Sequence, residues 1–149
     1  MDFIEDSIEI KATPERIYSF FENWTKNYKI WHPDHGEAKW IKGNLSEVDS
    51  ILYIEEYLHG ELHKMKFRLT YVDPPNKFDY KILFPMSLII PKGSFIIDKK
   101  DDTKSTFRAI MYFRLGKILK KVTRKKYEEL RKHMKEEGVN LKKILEETS

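Results

Sequence analysis

Two hydrophobic periods divide this chain and restrict the folds that it can adopt. From about residue 37 to residue 115, apolar and polar side chains alternate, which is typical of strands with one buried face. From about Lys117 to Glu147, apolar side chains recur at helical spacing, which indicates one long amphipathic helix. A curved antiparallel sheet with one apolar face can bury that face under such a helix. The pattern therefore predicts an α+β protein whose sheet wraps around a long C-terminal helix.

The alternation is clearest in three stretches of the middle region. Their predicted inward-facing side chains are His63, Met65, Phe67, Leu69 and Tyr71; Phe78, Tyr80, Ile82 and Phe84; and Phe107, Ala109, Met111 and Phe113. Turns between strands are predicted at residues 73–76 and 100–102, where Pro, Asn and Asp cluster.

The first part of the chain predicts one strand and two short helices. Residues 7–12 alternate as a strand does. A helix begins at Thr13-Pro14, because Thr is a good N-cap and Pro suits the first helical position. A second helix or turn extends to Trp31 and ends at Pro33. Since no linker or repeat is visible, we predict a single domain over residues 1–149.

The composition excludes several kinds of protein. The 149 residues include no cysteine, which excludes disulfides and cysteine-based zinc sites and fits a reducing cytoplasm. The net charge is +4 with both signs interspersed, so we predict no nucleic-acid partner. No signal peptide is visible after Met1, and the longest apolar run, Leu83 to Pro91, is too short to span a bilayer. We predict a cytoplasmic monomer or homodimer without stable membrane insertion.

A carboxylate interrupts the apolar stripe of the C-terminal helix. The stripe consists of Leu130, Met134, Leu141, Ile144 and Leu145. Glu137 lies near its middle, and His133 lies one turn earlier on its edge. A carboxylate that faces a core is costly unless another group pairs it. An inward-facing His and Glu are two of the ligands that a divalent metal needs; the alternative is an edge pair that reaches a tyrosine or an arginine.

The segment after the two short helices offers two histidines and an aspartate. In Trp31-His32-Pro33-Asp34-His35, the proline pushes His32 toward an extended conformation. Two histidines and an aspartate within four residues can place at least one metal ligand. The alternative is that His32 and His35 are ordinary loop or capping residues.

The hairpin of the next two strands supplies a further carboxylate. A turn at His59-Gly60 pairs Glu56 with His63, and directly opposed residues share a face of the sheet. Since Met65 belongs to the apolar face, Glu56 and His63 should also point inward, and Glu55 should point outward. A register slip by one residue would reverse this assignment.

Together these segments predict a metal site. The set His32, Glu56, His133 and Glu137 would provide two nitrogen and two oxygen ligands. Such a set suits Zn²⁺ and does not exclude Fe or Mn. Aromatic residues make up 13% of the chain and would line a pocket for a small hydrophobic or aromatic ligand.

The order of elements resembles the helix-grip fold of the START, Bet v 1 and polyketide-cyclase superfamily. The stretch from Ile8 to Tyr18 is similar to that family's opening, an apolar strand followed by a helix start that contains Ala12, Pro14 and Glu15. The resemblance covers the layout of the whole chain and implies a hydrophobic pocket. Members of the superfamily range from lipid carriers to cyclases and hydrolases, so the fold does not give the function.

The candidate ligands also resemble a narrower group, the zinc-dependent diacetylphloroglucinol and phloretin hydrolases. Those enzymes join a histidine from the helical segment, a glutamate from a strand and a His-x-x-x-Glu pair on the C-terminal helix. In this chain His32, Glu56, and His133 with Glu137 match that pattern in order and element. The resemblance implies hydrolytic cleavage of a carbon–carbon bond between an aromatic ring and an acyl group.

The implied reaction also requires an acid that gives a proton to a ring carbon. Our candidates for this catalytic role, in order, are His35, His63, Tyr28 and Tyr53.

Three functions remain open at this point. The first is a metal-dependent hydrolase or lyase that acts on a small aromatic or polyketide-like substrate. The second is a carrier of a lipid or isoprenoid, in which the apolar run from Leu83 to Pro91 forms a lid; the alternative for this run is an edge strand that packs on the helix. The third is a module that binds a partner through the basic start of the C-terminal helix, with an affinity that falls steeply with salt.

Overall fold

A computed structural model describes residues 2–58, 60–114 and 117–148, with side chains for all of these except residues 2, 117–123 and 126. The strands are β1 (Asp2–Ile10), β2 (His35–Lys42), β3 (Ile51–Leu58), β4 (Glu61–Asp73), β5 (Lys77–Ile82), β6 (Lys92–Lys99) and β7 (Ser105–Phe113). The helices are α1 (Pro14–Glu22), α2 (Trp24–Trp31) and α3 (Lys117–Glu147), and a 3₁₀ turn spans Met86–Leu88. This order of elements confirms the one predicted from the sequence.

Within the described residues, the seven strands form one antiparallel sheet in the order β1-β7-β6-β5-β4-β3-β2. The first two strands therefore lie at opposite edges, and α1 and α2 connect those edges. The sheet curves around α3, which packs against β1 and β3. Neither α3 nor any other described helix is long and apolar enough to cross a membrane.

The start of α1 follows the sequence prediction and is tied to the end of α3. Thr13 caps the helix, since its Oγ1 accepts a hydrogen bond from the Arg16 N–H at 3.3 Å, and Pro14 occupies the first helical position. The Arg16 guanidinium then donates to the Leu145 carbonyl at 2.9 Å. This bond joins the short helices to the last turns of α3.

A cluster of aromatic side chains holds α1 and α2 against the sheet. Phe21 stacks on Phe107, with ring centroids 5.5 Å apart and planes inclined by 16°. Trp31 contacts Phe21 edge-on at 5.3 Å, and Trp24 contacts Trp31 edge-on at 5.9 Å. Buried aromatic contacts of this kind fix position as well as add stability. The end of α2 is consequently held firmly at Trp31.

A glycine permits the close approach of α3 to β1. A Cβ atom on Gly138 would lie 3.1 Å from Asp6 Oδ2 and 3.5 Å from Ile8 Cγ2. A side chain at this position, next to Glu137, would require the Asp6 carboxylate to shift by a few tenths of an ångström.

Two side chains that the alternation predicted to face inward face solvent, which corrects that prediction. Tyr71 is 48% exposed because the register between β4 and β5 shifts between Leu69 and Tyr71. An irregularity of one residue moves the following side chains to the opposite face. Phe84 is 77% exposed because β5 ends at Ile82, so the alternation no longer applies.

Candidate metal centre

The turn between α2 and β2 places His35 in the interior. His32 ends α2 in an extended conformation (φ −152°, ψ 140°), which the following Pro33 favours. The His35 N–H donates to the His32 carbonyl at 3.1 Å and closes the turn. β2 then pairs with β3 so that His35 lies opposite Glu56. Because opposed residues share a face of the sheet, both side chains point toward α3.

The helix α3 supplies two further side chains at the same level. His133 and Glu137 lie one turn apart and therefore project from one face of the helix. The Trp31 indole N–H donates to the Glu137 carbonyl at 2.9 Å, and the Asn140 amide donates to the Trp31 carbonyl at 3.0 Å. These two bonds fix the rotation of α3 relative to α2, and so they aim His133 and Glu137.

The four side chains of His35, Glu56, His133 and Glu137, here called the His₂Glu₂ cluster, converge on one point. One nitrogen or oxygen atom from each lies within 4.8 Å of the others. His133 Nε2 is 2.6 Å from Glu56 Oε1 and 3.3 Å from Glu137 Oε2. His35 Nε2 is 2.9 Å from Glu137 Oε2, 3.5 Å from Glu56 Oε1 and 3.3 Å from His133 Nε2.

These separations fit a small tetrahedral cation site. Metal–ligand bonds of about 2.0–2.1 Å at tetrahedral angles place the ligand atoms about 3.3 Å apart. Three of the measured distances, at 3.3, 3.3 and 3.5 Å, are close to this value. The two shorter ones are hydrogen bonds between an imidazole and a carboxylate. The donor set of two nitrogens and two oxygens is one that zinc accepts.

Burial makes the charges of the cluster depend on one another. The exposed fraction of the side chain is 0% for His35, 4% for His133, 10% for Glu56 and 15% for Glu137. Charged groups this deep are costly unless they are paired with each other or with a cation. In the His₂Glu₂ cluster the two imidazoles pair with the two carboxylates, and a bound cation would pair the carboxylates instead.

The pKa values shift as this pairing requires. Burial by itself lowers the pKa of His35, but the hydrogen bonds and charges of Glu137 and Glu56 outweigh it and raise that pKa to about 9. Burial likewise opposes the charge of His133, and the same two carboxylates raise its pKa to about 11. Burial raises the pKa of Glu56 and Glu137, yet the two imidazoles more than compensate and hold both below the usual value. Both histidines are therefore protonated at neutral pH when only the carboxylates pair them.

A backbone carbonyl selects the ligand nitrogen of His35. Its Nδ1 lies 2.8 Å from the Tyr28 carbonyl oxygen, which can only accept, so Nδ1–H donates. The Tyr28 ring also stacks on the imidazole with centroids 3.8 Å apart and planes inclined by 6°. These contacts direct Nε2 toward the cluster, as the outer partner of a metal-bound histidine does.

The corresponding nitrogen of His133 is buried without a partner. Among the described residues, no group forms a hydrogen bond with His133 Nδ1. A carboxylate oxygen of Asp34 lies 3.9 Å away, just beyond hydrogen-bond range. Asp34 is thus placed to accept a hydrogen bond from Nδ1 after a small movement.

His35 occupies the place in the cluster for which the sequence had suggested His32. The His32 Nδ1 accepts the Asp34 backbone N–H at 2.9 Å, and its Nε2 lies 3.4 Å from Glu136. Its ring lies against His133, with centroids 4.2 Å apart, so His32 borders the cluster without joining it. His35 joins the cluster in place of His32 because the β2–β3 register sets His35 opposite Glu56. That register was the signal that could have identified His35.

The hairpin register of β3 and β4 is the one predicted. Glu56 pairs with His63 and Ile54 pairs with Met65, although the predicted turn residue His59 lies outside the described residues. Glu56 consequently faces inward, whereas Glu55 faces the outer side and accepts a hydrogen bond from the Tyr53 hydroxyl at 2.6 Å.

Only some of the candidate acids lie at the cavity beside the His₂Glu₂ cluster. Tyr53 lies on the outer face of the sheet, because side chains alternate along β3. It therefore does not line the apolar cavity that adjoins the His₂Glu₂ cluster. His63 and Tyr28 line it. The Tyr28 hydroxyl is buried without a hydrogen-bond partner among the described residues, and burial together with Glu56 and Glu137 raises its pKa well above the usual value. Tyr28 therefore retains its proton at neutral pH.

An apolar cavity of about 160 Å³ adjoins the His₂Glu₂ cluster. Glu56, His133 and Glu137 form part of its wall. Apolar side chains around the rest of the wall include Trp24, Met65, Phe67, Ile82, Phe95 and Leu130. The cavity thus has one polar, ionisable side in an otherwise hydrophobic lining, an arrangement typical of small-molecule sites.

Solved structures with the same architecture include several enzymes. The Zhui aromatase/cyclase from Streptomyces sp. R1128 superposes with a TM-score of 0.79 at 9% identity, over 97% of this chain and 93% of that one. Norcoclaurine synthase from Thalictrum flavum, in complex with dopamine and hydroxybenzaldehyde, gives 0.74 at 13% identity, over 99% and 88%. A protein from Thermus thermophilus gives 0.78 at 13% identity, over 99% and 100%. These likenesses confirm the predicted helix-grip fold.

Sequence comparison identifies the family, although no curated protein matches the chain significantly. Residues 1–146 match the family described as polyketide cyclase/dehydrase and lipid transport. The match covers nearly the whole chain and agrees with the superfamily that the order of elements had suggested. The chain belongs to the polyketide cyclase/dehydrase and lipid transport family.

Proposed function

We propose that this protein is a metal-dependent hydrolase or lyase, with zinc as the metal, that acts on a small aromatic or polyketide-like ligand. The observation that carries the proposal is the buried His₂Glu₂ cluster in the wall of an apolar cavity. Purely structural ion pairs rarely bring four ionisable side chains together beside a cavity, because each must lose its hydration. Perturbed ionisable groups in a cavity are characteristic of catalytic sites.

The cavity volume favours a ligand with a single ring. An apolar cavity of about 150 Å³ holds a molecule the size of benzene, and the cavity here is about 160 Å³. Norcoclaurine synthase, which has the same fold, contains dopamine and hydroxybenzaldehyde in its structure. Stacking against the aromatic wall would orient such a ring and exclude water from it.

The proposed chemistry is cleavage of a bond between an aromatic ring and an acyl group. His35, Glu56, His133 and Glu137 would hold the zinc ion, which would need a further coordination position to supply Lewis acidity toward an acyl oxygen or a water of lowered pKa. The acyl group would take the hydroxyl of the water and leave as a carboxylic acid, and the ring carbon would take the proton. The two carboxylates balance the charge of the cation, and the Tyr28 carbonyl keeps His35 in the tautomer that presents Nε2. Release of the ring requires a proton on carbon.

Tyr28 and His63 are the residues that we assign to this proton transfer. Both line the cavity, and the Tyr28 hydroxyl is a buried, protonated donor without another partner among the described residues. His35 is a proposed metal ligand of the cluster, and Tyr53 lies on the outer face of the sheet, away from the cavity. The candidate acids are therefore His63 and Tyr28, and the raised pKa of Tyr28 makes its hydroxyl a weak acid.

Metal content is the direct test. Protein purified without an affinity tag and dialysed against a zinc-containing buffer should retain about one equivalent of zinc per chain, as measured by elemental mass spectrometry. Glu56→Gln should weaken zinc binding by at least about tenfold, because it removes one anionic ligand. Glu55→Gln is the matched control, since this neighbouring carboxylate faces the opposite side. Zinc content below about 0.2 equivalents in the wild type, or equal binding by the two variants, would refute the metal site.

A ligand carrier is a second candidate, favoured by the predominantly apolar lining of the cavity. In that case the His₂Glu₂ cluster would be a polar anchor for the head of a lipid or isoprenoid. Native mass spectrometry distinguishes the two, because a carrier should retain an apolar ligand without metal.

A single domain over residues 1–149, a cytoplasmic location and a monomeric or homodimeric state remain predictions.

A further inference from the structure

A tyrosine hydroxyl in the wall of the cavity lacks a hydrogen-bond partner in the protein. Tyr80 lines the cavity, and only 2% of the residue is exposed. Among the described residues, no group forms a hydrogen bond with its hydroxyl. Unlike the Tyr28 hydroxyl, that of Tyr80 is not fully enclosed by protein atoms. Its free side therefore faces the cavity.

The phenol ring of Tyr80 packs on an aromatic neighbour and a glycine. It stacks on Phe67 with ring centroids 4.4 Å apart and planes inclined by 3°. Gly93 lies directly opposite Tyr80 in the β5–β6 pair, and a Cβ atom there would lie 2.3 Å from the hydroxyl oxygen. Glycine is required at this position because a Cβ atom cannot approach another atom so closely. The packing thus fixes where the hydroxyl lies.

This packing explains the ring of Tyr80 but not its hydroxyl. Phenylalanine would stack on Phe67 and cover Gly93 equally well, without placing a polar group in an apolar wall. A buried polar group without a partner destabilises the folded protein, and nearly all such groups in native proteins are bonded. An unbonded hydroxyl that faces a cavity therefore indicates a partner that enters the cavity.

We propose that the Tyr80 hydroxyl forms a hydrogen bond with an oxygen atom on the ring of the bound ligand, so that the cavity selects hydroxylated aromatic rings. This inference rests on the aromatic ligand proposed above and defines a substituent of it, but it requires no metal. A site built to bond a hydroxyl rejects a ligand that lacks one, because the group of the protein is then left unpaired. Tyr80 is accordingly a specificity-determining residue, separate from the His₂Glu₂ cluster.

The surroundings of Tyr80 favour a neutral hydroxyl over a charged group on the ligand. Burial and the carboxylates of Glu137 and Glu56 raise the pKa of Tyr80 well above its usual value, so the hydroxyl keeps its proton. A tyrosine hydroxyl can both donate and accept a hydrogen bond, as a phenol can. Within the described part of the chain, the cavity wall contains no Lys or Arg that would pair a carboxylate, and burial of an unpaired charge is costly. The ligand class is therefore a phenol and not an aromatic acid.

Binding of two ring compounds of similar size tests the proposal with the full chain. Tyr80→Phe should weaken the binding of phenol about fivefold, because one hydrogen bond is lost, and should leave the binding of toluene within about twofold. Titration calorimetry measures both affinities in the wild type and the variant. An unchanged affinity for phenol, or equal losses for phenol and toluene, would overturn the proposal.

The same titrations separate this inference from the proposed function. If the wild type binds both compounds and Tyr80→Phe binds them equally well, the aromatic ligand stays supported and only the role of Tyr80 is refuted. If the wild type binds neither compound, the aromatic ligand is refuted and the role of Tyr80 with it. The zinc content is measured independently of both outcomes.

Two further variants test whether the effect is specific to this hydroxyl and its position. Tyr18→Phe is the matched control, since Tyr18 is also 2% exposed but lies outside the cavity wall and donates to the Leu45 carbonyl at 3.2 Å. It should bind both compounds as the wild type does, and a loss of phenol binding equal to that of Tyr80→Phe would contradict a specific site. Gly93→Ala should weaken phenol binding at least about fivefold, because its Cβ atom displaces the Tyr80 hydroxyl. Wild-type affinity for phenol in Gly93→Ala would also count against the proposal.

Discussion

The two faces of β3 carry the same chemical groups in opposite surroundings. On the inner face, Glu56 lies beside two buried imidazoles, and its pKa falls although burial opposes its charge. On the outer face, the pKa of Glu55 falls chiefly because the half-buried Tyr53 hydroxyl donates to it. Consecutive residues of one strand thus provide a candidate metal ligand and an ordinary surface carboxylate. The surroundings, and not the residue type, determine the chemistry that a glutamate can perform.

The largest expected effect that separates the two faces is on stability without metal. Glu56→Gln leaves His35 and His133 with one carboxylate between them, and an unpaired buried charge costs about 3–5 kcal/mol of unfolding free energy. Glu55→Gln should change it by at most about 0.5 kcal/mol, as surface substitutions do. Urea unfolding in the presence of a chelator measures both values. Equal losses for the two variants would show that the inner cluster is not an interdependent charged unit.

The second prediction concerns alkaline pH. The pKa of His35 is raised to about 9 and that of His133 to about 11, so their contribution to stability is complete below about pH 6.5. It is lost as pH rises through the folded-state values. In the metal-free protein, His35 alone should therefore account for a loss of roughly 2–3 kcal/mol between pH 7 and pH 10, and His133 should add to it.

The two faces of β3 should differ in this pH response as well. Glu55→Gln should retain the alkaline loss, whereas Glu56→Gln should reduce it, because Glu56 raises the pKa of both histidines. Urea unfolding at a series of pH values tests this. A flat profile in the wild type would contradict the charged state that we assign to the cluster.

A smaller effect is expected from Asp34, which lies near the unpartnered nitrogen of His133. When Nε2 binds zinc, Nδ1 carries a proton that Asp34 can accept, and loss of such an outer partner weakens metal binding about tenfold. Asp34→Asn should show this loss in a competition titration with a chelating dye. Asp102→Asn is the control, because its carboxylate is almost fully exposed on a distant turn. Unchanged affinity in Asp34→Asn would remove Asp34 from the site.

The smallest effect on stability is expected at the two tyrosines. Tyr28→Phe removes a buried hydroxyl without a partner among the described residues, and the change in unfolding free energy should be within about 0.5 kcal/mol of zero or stabilising. Tyr53→Phe loses one hydrogen bond on the outer face of the sheet, and its cost should be similarly small. Their effects on catalysis should differ, because Tyr28 lines the cavity. Once a substrate is identified, equal turnover by wild type and Tyr28→Phe would leave His63 as the acid.

The sequence alone determined the elements and much of the inner face. The helical spacing that placed Glu137 within the stripe of α3 depends on a period of a few residues. The inward direction of Glu56 was read from the short hairpin turn that pairs it with His63 on the adjacent strand. Thr13 and Pro14 marked the start of α1 for an equally local reason, since a cap needs only its own turn. Local steric and hydrogen-bonding rules act over such short distances, and they can be read without knowing which segments meet.

Only the tertiary structure decided which histidine completes the cluster and which side chains remain exposed. His32 and His35 are three residues apart, and choosing between them requires the pairing of β2 with β3. The outward turn of Tyr71 follows from a register shift between β4 and β5, and the exposure of Phe84 follows from the point where β5 ends. Each of these outcomes depends on contacts between separate strands, whose alignment is set by the packing of the whole sheet around α3 and not by the residues nearby.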